Sequence, residues 1–383
     1  MGTDENLKSL PLDDLHKAAG ARFGGFAGWN MPITYPLGVM KEHLHTREKA
    51  GLFDISHMQL FELSGREAAA LLSHACPLDA AALQQGQSKY TFFLNEQAGI
   101  LDDLIVTRLG AAGGDRADST AGGDSGGDRY MVVANAGNAA ADEAHLRHIA
   151  SGFDCRVEAL PRVFLAIQGP QAADILRMAG LSGTELAFMN GFEPKPGWFM
   201  SRSGYTGEDG FEIGLPAGEA RELVAALLAD ERLAWIGLAA RDSLRLEAGL
   251  CLHGHDITPD HDPVEAALTW AIGKPVREKG GFIGAEALRA KLAAGTVRKR
   301  VGLKPDGRQP VRGETVLIGA DGNEIGLVTS GGFGPSAGHP VAMGYVARAA
   351  IDGNLPIFAE LRGNRIPVHI HPLPFTPHRY HKG

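Results

Sequence analysis

A chain of 383 residues with 44% hydrophobic content is long enough for two or three domains with sizeable cores. Its formal charge of −8 gives no global positive footprint for nucleic acid, no apolar run approaches a membrane span, and Cys76, Cys155 and Cys251 are too scattered for a disulfide framework or a zinc pattern. The opening "MGTDENLKSLPLDDLHKAAG" lacks the basic start and apolar core of a signal peptide and the Ser/Thr of a myristoylation signal, so the expectation is a soluble cytoplasmic protein in a reducing compartment.

In chain order, "GLFDISHM" (51–58) brings Asp54, Ser56 and His57 close together. A Ser-His-Asp triad is assembled in space, and no G-x-S-x-G elbow is present, so a local network at a helix-to-strand junction is expected there. "REAAALLSHA" (66–75) places Ala69, Leu72 and Ala75 at helical spacing. "YTFFLNEQAGILDDLIV" then reads as two strands joined around "NEQAG".

The second of these strands poses a problem. Alternation puts Ile100, Asp102, Leu104 and Val106 on one face and Leu101, Asp103 and Ile105 on the other. Both faces are otherwise apolar, so a continuous strand buries at least one carboxylate, which is costly unless the charge is paired or neutralised. Local sequence favours a turn opening at Gly99. The alternative is a functional carboxylate in a low-dielectric site.

Residues 110–128, "GAAGGDRADSTAGGDSGGD", cannot bury apolar surface and read as the long flexible tip of a hairpin between "ILDDLIVTRL" and "RYMVVANAG". "VFLAIQGP" (163–170) is a buried strand and "QAADILRMAG" a helix. The mixture of hairpins and helices indicates an α+β class.

"SGYTGEDGFEIGL" (203–215) carries Gly204, Gly207 and Gly210, which allow tight turns and close approach to a ligand, but no P-loop Lys follows. Beyond the loop, Phe211, Ile213 and Leu215 face one way and Glu212 the other. Glu212 is either a solvent-facing hairpin residue, the alternative that local sequence favours, or an acceptor for the paired N–H donors of a planar heterocycle.

In "GLAARDSLRLEAGLCLHGHDI" (237–257), residues 238–248 have helical composition. Arg241 and Arg245 are four apart, a like-charge pair that needs neutralising, and Asp242 can pair with Arg245. The stretch is either a solvated helix face or an arginine presented to an anion. The pairs His43/His45, His253/His255 and His369/His371 have a spacing that metal sites use, but nothing supplies the rest of a ligand set, so no metal is expected.

Residues 280–293 read as a helix, and short strands recur after Gly295, punctuated by Asp306-Gly307, Asp321-Gly322 and Asp352-Gly353. This predicts a small antiparallel barrel or sandwich, with a boundary near 278–296. "GFGPSAGHP" (332–340) lacks the strand-turn-helix context of a dinucleotide loop.

Taken together, the chain resembles the T-protein (aminomethyltransferase) family of the glycine cleavage system. The resemblance runs in order through "GARFGGFAGWNMPITY", "REKAGLFDISHM", "GILDDLIV", "AIQGPQA", "SGYTGEDGFE", "GLAARDSLRLEAGLCLHGHDI", "PVEAALTWAI", "FIGAEAL" and "GLVTSGGFGPS". It implies a ring-like three-domain α+β fold with a C-terminal antiparallel β-barrel. The implied division is two intertwined α+β domains, 1–56 with 158–250 and 57–157 with 251–278, then a helical connection over 279–295 and a barrel over 296–383.

The implied activity is transfer of a one-carbon unit from the S-aminomethyldihydrolipoyl arm of H-protein to tetrahydrofolate. The products would be 5,10-methylenetetrahydrofolate, ammonia and dihydrolipoyl protein. Tetrahydrofolate is thus expected as a substrate and lipoylated H-protein as the partner, with no metal, nucleic acid or membrane.

By the same resemblance, Asp103 matches the catalytic carboxylate near folate N10, Glu212 the carboxylate that holds the pterin, and Arg241 the arginine beside the folate. Met58, Tyr90 and Tyr205 match folate-side positions, Asn135 matches a position on the cavity or lipoyl-arm side, and Arg379 matches a residue toward the folate tail. His253 departs from the tyrosine expected at its position, and the 110–128 insertion is longer than expected.

Three functions compete with this one. A related tetrahydrofolate-dependent demethylase would use another one-carbon donor. A folate-binding relative serving iron–sulfur maturation would carry a K-G-C-[FY]-x-G-Q-E type motif, which this chain lacks. A metal hydrolase would need the histidine pairs.

Overall fold

The computed structural model describes residues 7–111 and 127–383, so most of the Gly/Asp-rich 110–128 segment lies outside the described residues. The described residues form three open sheets and one closed barrel.

A six-stranded sheet runs in the order Asn190–Phe192, Phe199–Arg202, Gly210–Leu215, Val163–Gln168, Ala50–Asp54, Leu233–Trp235. Its apolar alternation sends Leu52, Leu165, Ile167, Phe211 and Ile213 into one core against helices Ala172–Met178 and Ala217–Leu228. The second helix supplies Ala220, Leu223, Val224 and Leu227, an i, i+3, i+4, i+7 stripe. Each large side chain buried in this way contributes about 1.5–3 kcal/mol of transfer free energy.

A five-stranded sheet has the order Ser88–Leu94, Ile100–Ala111, Asp128–Ala134, Gln59–Gly65, Arg156–Leu160. Leu104, Val106, Tyr130, Val132 and Phe61 pack on helix Ala68–Ala75 and on Leu146 and Ile149 of helix Ala139–Ala150. The opposite faces of the two sheets share a further core in which Phe53, Leu60, Val133 and Phe164 meet Ala240 and Leu244 of helix Leu238–Glu247.

Of the barrel and sandwich alternatives, the C-terminal strands form the barrel. It closes in the order Arg298–Pro305, His339–Ala347, Glu324–Gly334, Val316–Ile318, Ile357–Leu361, Asn364–His371. A barrel leaves no unpaired edge.

Three local expectations are corrected. The turn favoured at Gly99 is instead a continuous strand, with Phe93 opposite Asp102 and Phe92 opposite Asp103. The tight turn lies just before it, where Asn95 Oδ1 accepts the N–H of Gly99 at 2.7 Å. The helix expected over 280–293 starts later, at Ala285, and runs to Ala294, and a separate short helix, Lys274–Lys279, precedes it. Gly280, Gly281 and Gly284, all at positive φ, keep the first residues of that span out of the helix. The helix read over 66–75 begins at Ala68.

After its last strand the barrel releases a tail without regular structure that returns to the α+β region. Phe375 N–H donates to Glu247 O, Arg379 N–H to Gly207 O, and Phe188 N–H to His381 O. Among the described residues no helix is long and apolar enough to cross a membrane.

Candidate functional site

A cavity of about 1620 Å³ is lined by the five-stranded sheet, helix Leu238–Glu247, the loops at 204–205 and 248–255, the first barrel strand and the tail. Met58, Tyr90, Asp103, Asn135, Tyr205, Glu212 and Arg241 all line it. Arg379 is not among the lining residues. Its guanidinium is held by Glu208 Oε1 at 2.6 Å and by the carbonyl of Arg47 at 2.8 Å.

The strand Ile100–Ala111 sends its two aspartates to opposite faces. Asp102 is fully buried with Leu104 and Val106 on the helix-covered side. It accepts the N–H of Asn135 at 3.0 Å and the side-chain amides of Asn135 and Asn138 at 2.9 and 2.8 Å. Those donors answer the burial penalty that local sequence left open.

Asp103 turns into the cavity. Its Oδ2 accepts the Tyr90 hydroxyl at 2.8 Å, and its Oδ1 accepts Asn135 Nδ2 at 2.9 Å. Tyr90 is itself sandwiched, stacked on Trp270 at 5.6 Å and edge-on to Phe92. Burial and the charge of Asp102 push the Asp103 carboxyl up to about 6, against the opposing pull of His253, Tyr90 and Asn135.

Glu212 is only 7% exposed, which excludes the solvent-facing alternative. Its strand directs Phe211 and Ile213 into the helix-covered core and Glu212 to the other face. Ser203 Oγ donates to Glu212 Oε2 at 2.6 Å, and burial raises the carboxyl above its ordinary range, opposed by Ser203 and the charge of Arg241. The preceding loop needs glycine at 204, because a Cβ there would lie 1.9 Å from Gln168 Oε1. Gln168 Nε2 in turn donates to Ser203 O, and Thr206 donates to Gln168 Oε1.

The two helix arginines have separate roles. Arg245 is buried and neutralised, with Nη1 2.7 Å from Asp256 and Nε 2.8 Å from Asp242. Arg241 lies over the Tyr205 ring at 4.9 Å, and its Nη1 is buried without a protein hydrogen-bond partner. The Tyr205 hydroxyl donates to Cys251 O. A guanidinium at a cavity wall can donate to a carboxylate or carbonyl acceptor there.

Sequence reasoning missed several lining residues. His57 is 5% exposed, and its Nδ1 has no protein partner. Burial and the charge of Arg241 push its imidazole down to about 3, against Asp54, so it is neutral near pH 7. Trp270, Phe188 and Tyr380 also line the cavity, with Phe188 and Tyr380 stacked at 3.9 Å. The available signal for His57 was its place beside Met58 in "SHM". The aromatic residues gave none, because they come from distant segments.

The histidine pairs divide between unrelated tasks. His43 contacts Ser243, Glu247 and Ser336, while His45 contacts the carbonyl of Arg232. Among the described residues no group of three or more His, Cys, Asp or Glu side chains could hold a metal ion. Asp54 pairs with His16 at 2.8 Å and accepts the Ser56 N–H, a structural network and not a triad.

Residues 12–275 match the GCVT N-terminal domain, and residues 298–376 match the glycine cleavage T-protein C-terminal barrel domain. The chain belongs to the glycine cleavage T-protein family. Relatives named aminomethyltransferase include the mitochondrial protein of Gallus gallus, 40% identical over 98% of this chain and 94% of that protein. The protein of Saccharopolyspora erythraea is 38% identical over 96% of this chain and 98% of its own length. The crystal structure of glycine cleavage system aminomethyltransferase T from Bartonella henselae is 60% identical, with a TM-score of 0.93, covering 98% of this chain and 100% of that one. This T-protein family member is thus an aminomethyltransferase with the family's mixed α+β fold and C-terminal barrel.

Proposed function

We propose that the enzyme transfers the one-carbon unit from the S-aminomethyldihydrolipoyl arm of H-protein to tetrahydrofolate, giving 5,10-methylenetetrahydrofolate, ammonia and dihydrolipoyl protein. The observation that carries this reading is one cavity that the half-buried Asp103 and the buried Glu212 and Arg241 all line. Glu212 would accept N–H donors of the pterin, Arg241 would sit beside the folate, and Met58, Tyr90 and Tyr205 would pack against it. Asn135 would serve the lipoyl-arm side as well as hold Asp103. Arg379 is left out of the folate site, since Glu208 already holds its guanidinium.

The chemistry suits these groups. Two C–N bonds form between the methylene carbon and the folate N5 and N10, and the C–N bond to ammonia and the C–S bond to the lipoyl arm break. The two folate N–H protons leave, one with ammonia and one with the thiol. A carboxyl raised to about 6 is a competent proton carrier near neutral pH. As the anion it also stabilises positive charge developing on the carbon, in a cavity that orients both reactants. A cytoplasmic setting completes the proposal and is supported by three cysteines without disulfides.

Tetrahydrofolate-dependent ammonia release from an aminomethyl-loaded lipoyl carrier tests the reading. Release by the wild-type enzyme is expected. No release, together with tetrahydrofolate-dependent demethylation of another donor, would replace it with the demethylase alternative.

A further inference from the structure

A third carboxyl sits behind the two aspartates. Asp142, in the first turn of helix Ala139–Ala150, is 3% exposed, and its carboxyl is in hydrogen-bonding contact with that of Asp102. Its Oδ2 is buried, and no donor reaches it. Among the described residues, the ion-pair contact within 4 Å of this pair is the His253 ring, 3.8 Å from Asp102, and neither lysine nor arginine reaches it.

Two buried carboxylates in contact cannot both stay ionised, and a shared proton relieves the repulsion. The donors around the pair decide where the proton resides. Asp102 accepts three N–H groups, from Asn135 N, Asn135 Nδ2 and Asn138 Nδ2. Asp102 is thus supplied with donors while no donor reaches Asp142 Oδ2, so the proton belongs on Asp142, whose own hydroxyl then becomes a fourth donor to Asp102.

Asn135 Nδ2 also contacts Asp103 Oδ1, so the same amide joins this pair to the cavity. The other titratable groups facing Asp142 are Cys76 from helix Ala68–Ala75 and Asp103 from the strand. His145 follows on its own helix, its ring 5.0 Å from Phe93. His253 reaches the network through its Nδ1, which accepts from Asn138 Nδ2 at 2.9 Å.

We infer that Asp142 is a protonated positioning residue that donates to Asp102, and that this buried acid pair sets the charge felt by Asp103 at the cavity wall. Burial, together with the charge of Asp102 and the bond to it, pushes the Asp142 carboxyl up to about 9, in the same sense. The inference rests on Asp103 being the reactive carboxylate of the proposed function for its kinetic consequence, but not for the location of the proton.

The test therefore has two arms. Infrared difference spectroscopy of the ligand-free enzyme at pH 7, wild type against Asp142→Asn, reads the proton directly. A protonated-carboxyl C=O band present in wild type and lost in the variant is expected, and its absence from wild type would overturn the inference whatever the enzyme catalyses. The second arm is the acid limb of kcat/KM for ammonia release. Asp142→Ala leaves the full charge of Asp102 beside Asp103 and should move the limb up by about half a pH unit or more. Asp142→Asn restores a neutral donor and should return the limb to its wild-type position. A limb moved down by Asp142→Asn would mean that an anion had been removed, and one unmoved by Asp142→Ala would mean no coupling, and either result would overturn it. If Asp142→Ala fails to fold, the infrared comparison and the Asn variant decide.

Discussion

At Asp103 the neighbours act in opposite senses. Burial and the Asp102 charge hold the proton on, while Tyr90, Asn135 and His253 favour the anion, and the outcome is a carboxyl at about 6. Asp103→Asn should cut kcat for ammonia release by about 10²–10⁴-fold, the range for a lost general acid–base. Its urea-unfolding stability should be little changed. Asp102→Asn should show the reverse balance, because its amide N–H₂ would confront the donors of Asn135 and Asn138. About 1–3 kcal/mol of stability should be lost, with the smaller fall in kcat, and equal effects on turnover would break the division of roles. Glu212→Gln should weaken tetrahydrofolate binding by roughly 1–3 kcal/mol for a lost charged hydrogen bond, read by calorimetry. At this scale strand periodicity was legible: it set Asp102 opposite Asp103 and Glu212 opposite Phe211. What it left open was burial. The partners that make burial tolerable were not marked by periodicity: Asn135 reaches Asp102 from another segment, and Ser203 reaches Glu212 across the glycine loop of the same stretch.

Among the elements, the loop before Gly210–Leu215 has the narrowest tolerance. Gln168 occupies the space that a side chain at 204 would need, and it also holds Ser203 O and Thr206 Oγ1. Gly204→Ala should therefore cost about 1–3 kcal/mol as overpacking, measured by urea unfolding. It should also raise the KM for tetrahydrofolate, since Ser203 and Tyr205 flank the position. The sequence marked this loop by its glycines, and the reason for one of them is a glutamine on the neighbouring strand. Helix limits were less legible where glycines intervene. The apolar pattern of 280–293 continues through Gly284, yet that residue adopts φ +81° and the helix begins only after it, at Ala285.

For the whole molecule, the tail joins the barrel to the α+β region through Glu247, which collects His43, Arg47, Thr376 and the N–H groups of Ser336 and Ala337. The cavity is lined by residues from both ends of the chain, Gly25 and Phe26 as well as His378 and Tyr380. Buried acids make its stability depend on pH in a defined sense. Asp103 and Asp142 keep protons in the folded state, at about 6 and about 9, that the unfolded chain releases near its ordinary 3.8. Their contribution is complete below that ordinary value and is lost as pH rises through the folded ones. Urea-unfolding stability of the wild type should therefore decline from pH 5 to pH 9 relative to Asp142→Asn. A constant difference between the two proteins across that range would count against a protonated Asp142.

What the sequence determined by itself is whatever depends on local order: the alternation of each strand, the change to short barrel strands after Gly295, and the family resemblance carried by successive motifs. Tertiary structure decided which polar residues are buried and what they are for. Strand geometry fixes the face a side chain takes, but whether that face meets water, a helix or a cavity depends on segments distant in the chain. Asp102 meets Asn135 and Asn138 from beyond the hairpin, and Asp142 meets it from the following helix. Asp103 meets the open volume enclosed by helix Leu238–Glu247, the barrel and the tail. The charge state of each carboxylate follows from those long-range contacts, because burial cost and hydrogen-bond donors are properties of the assembled site.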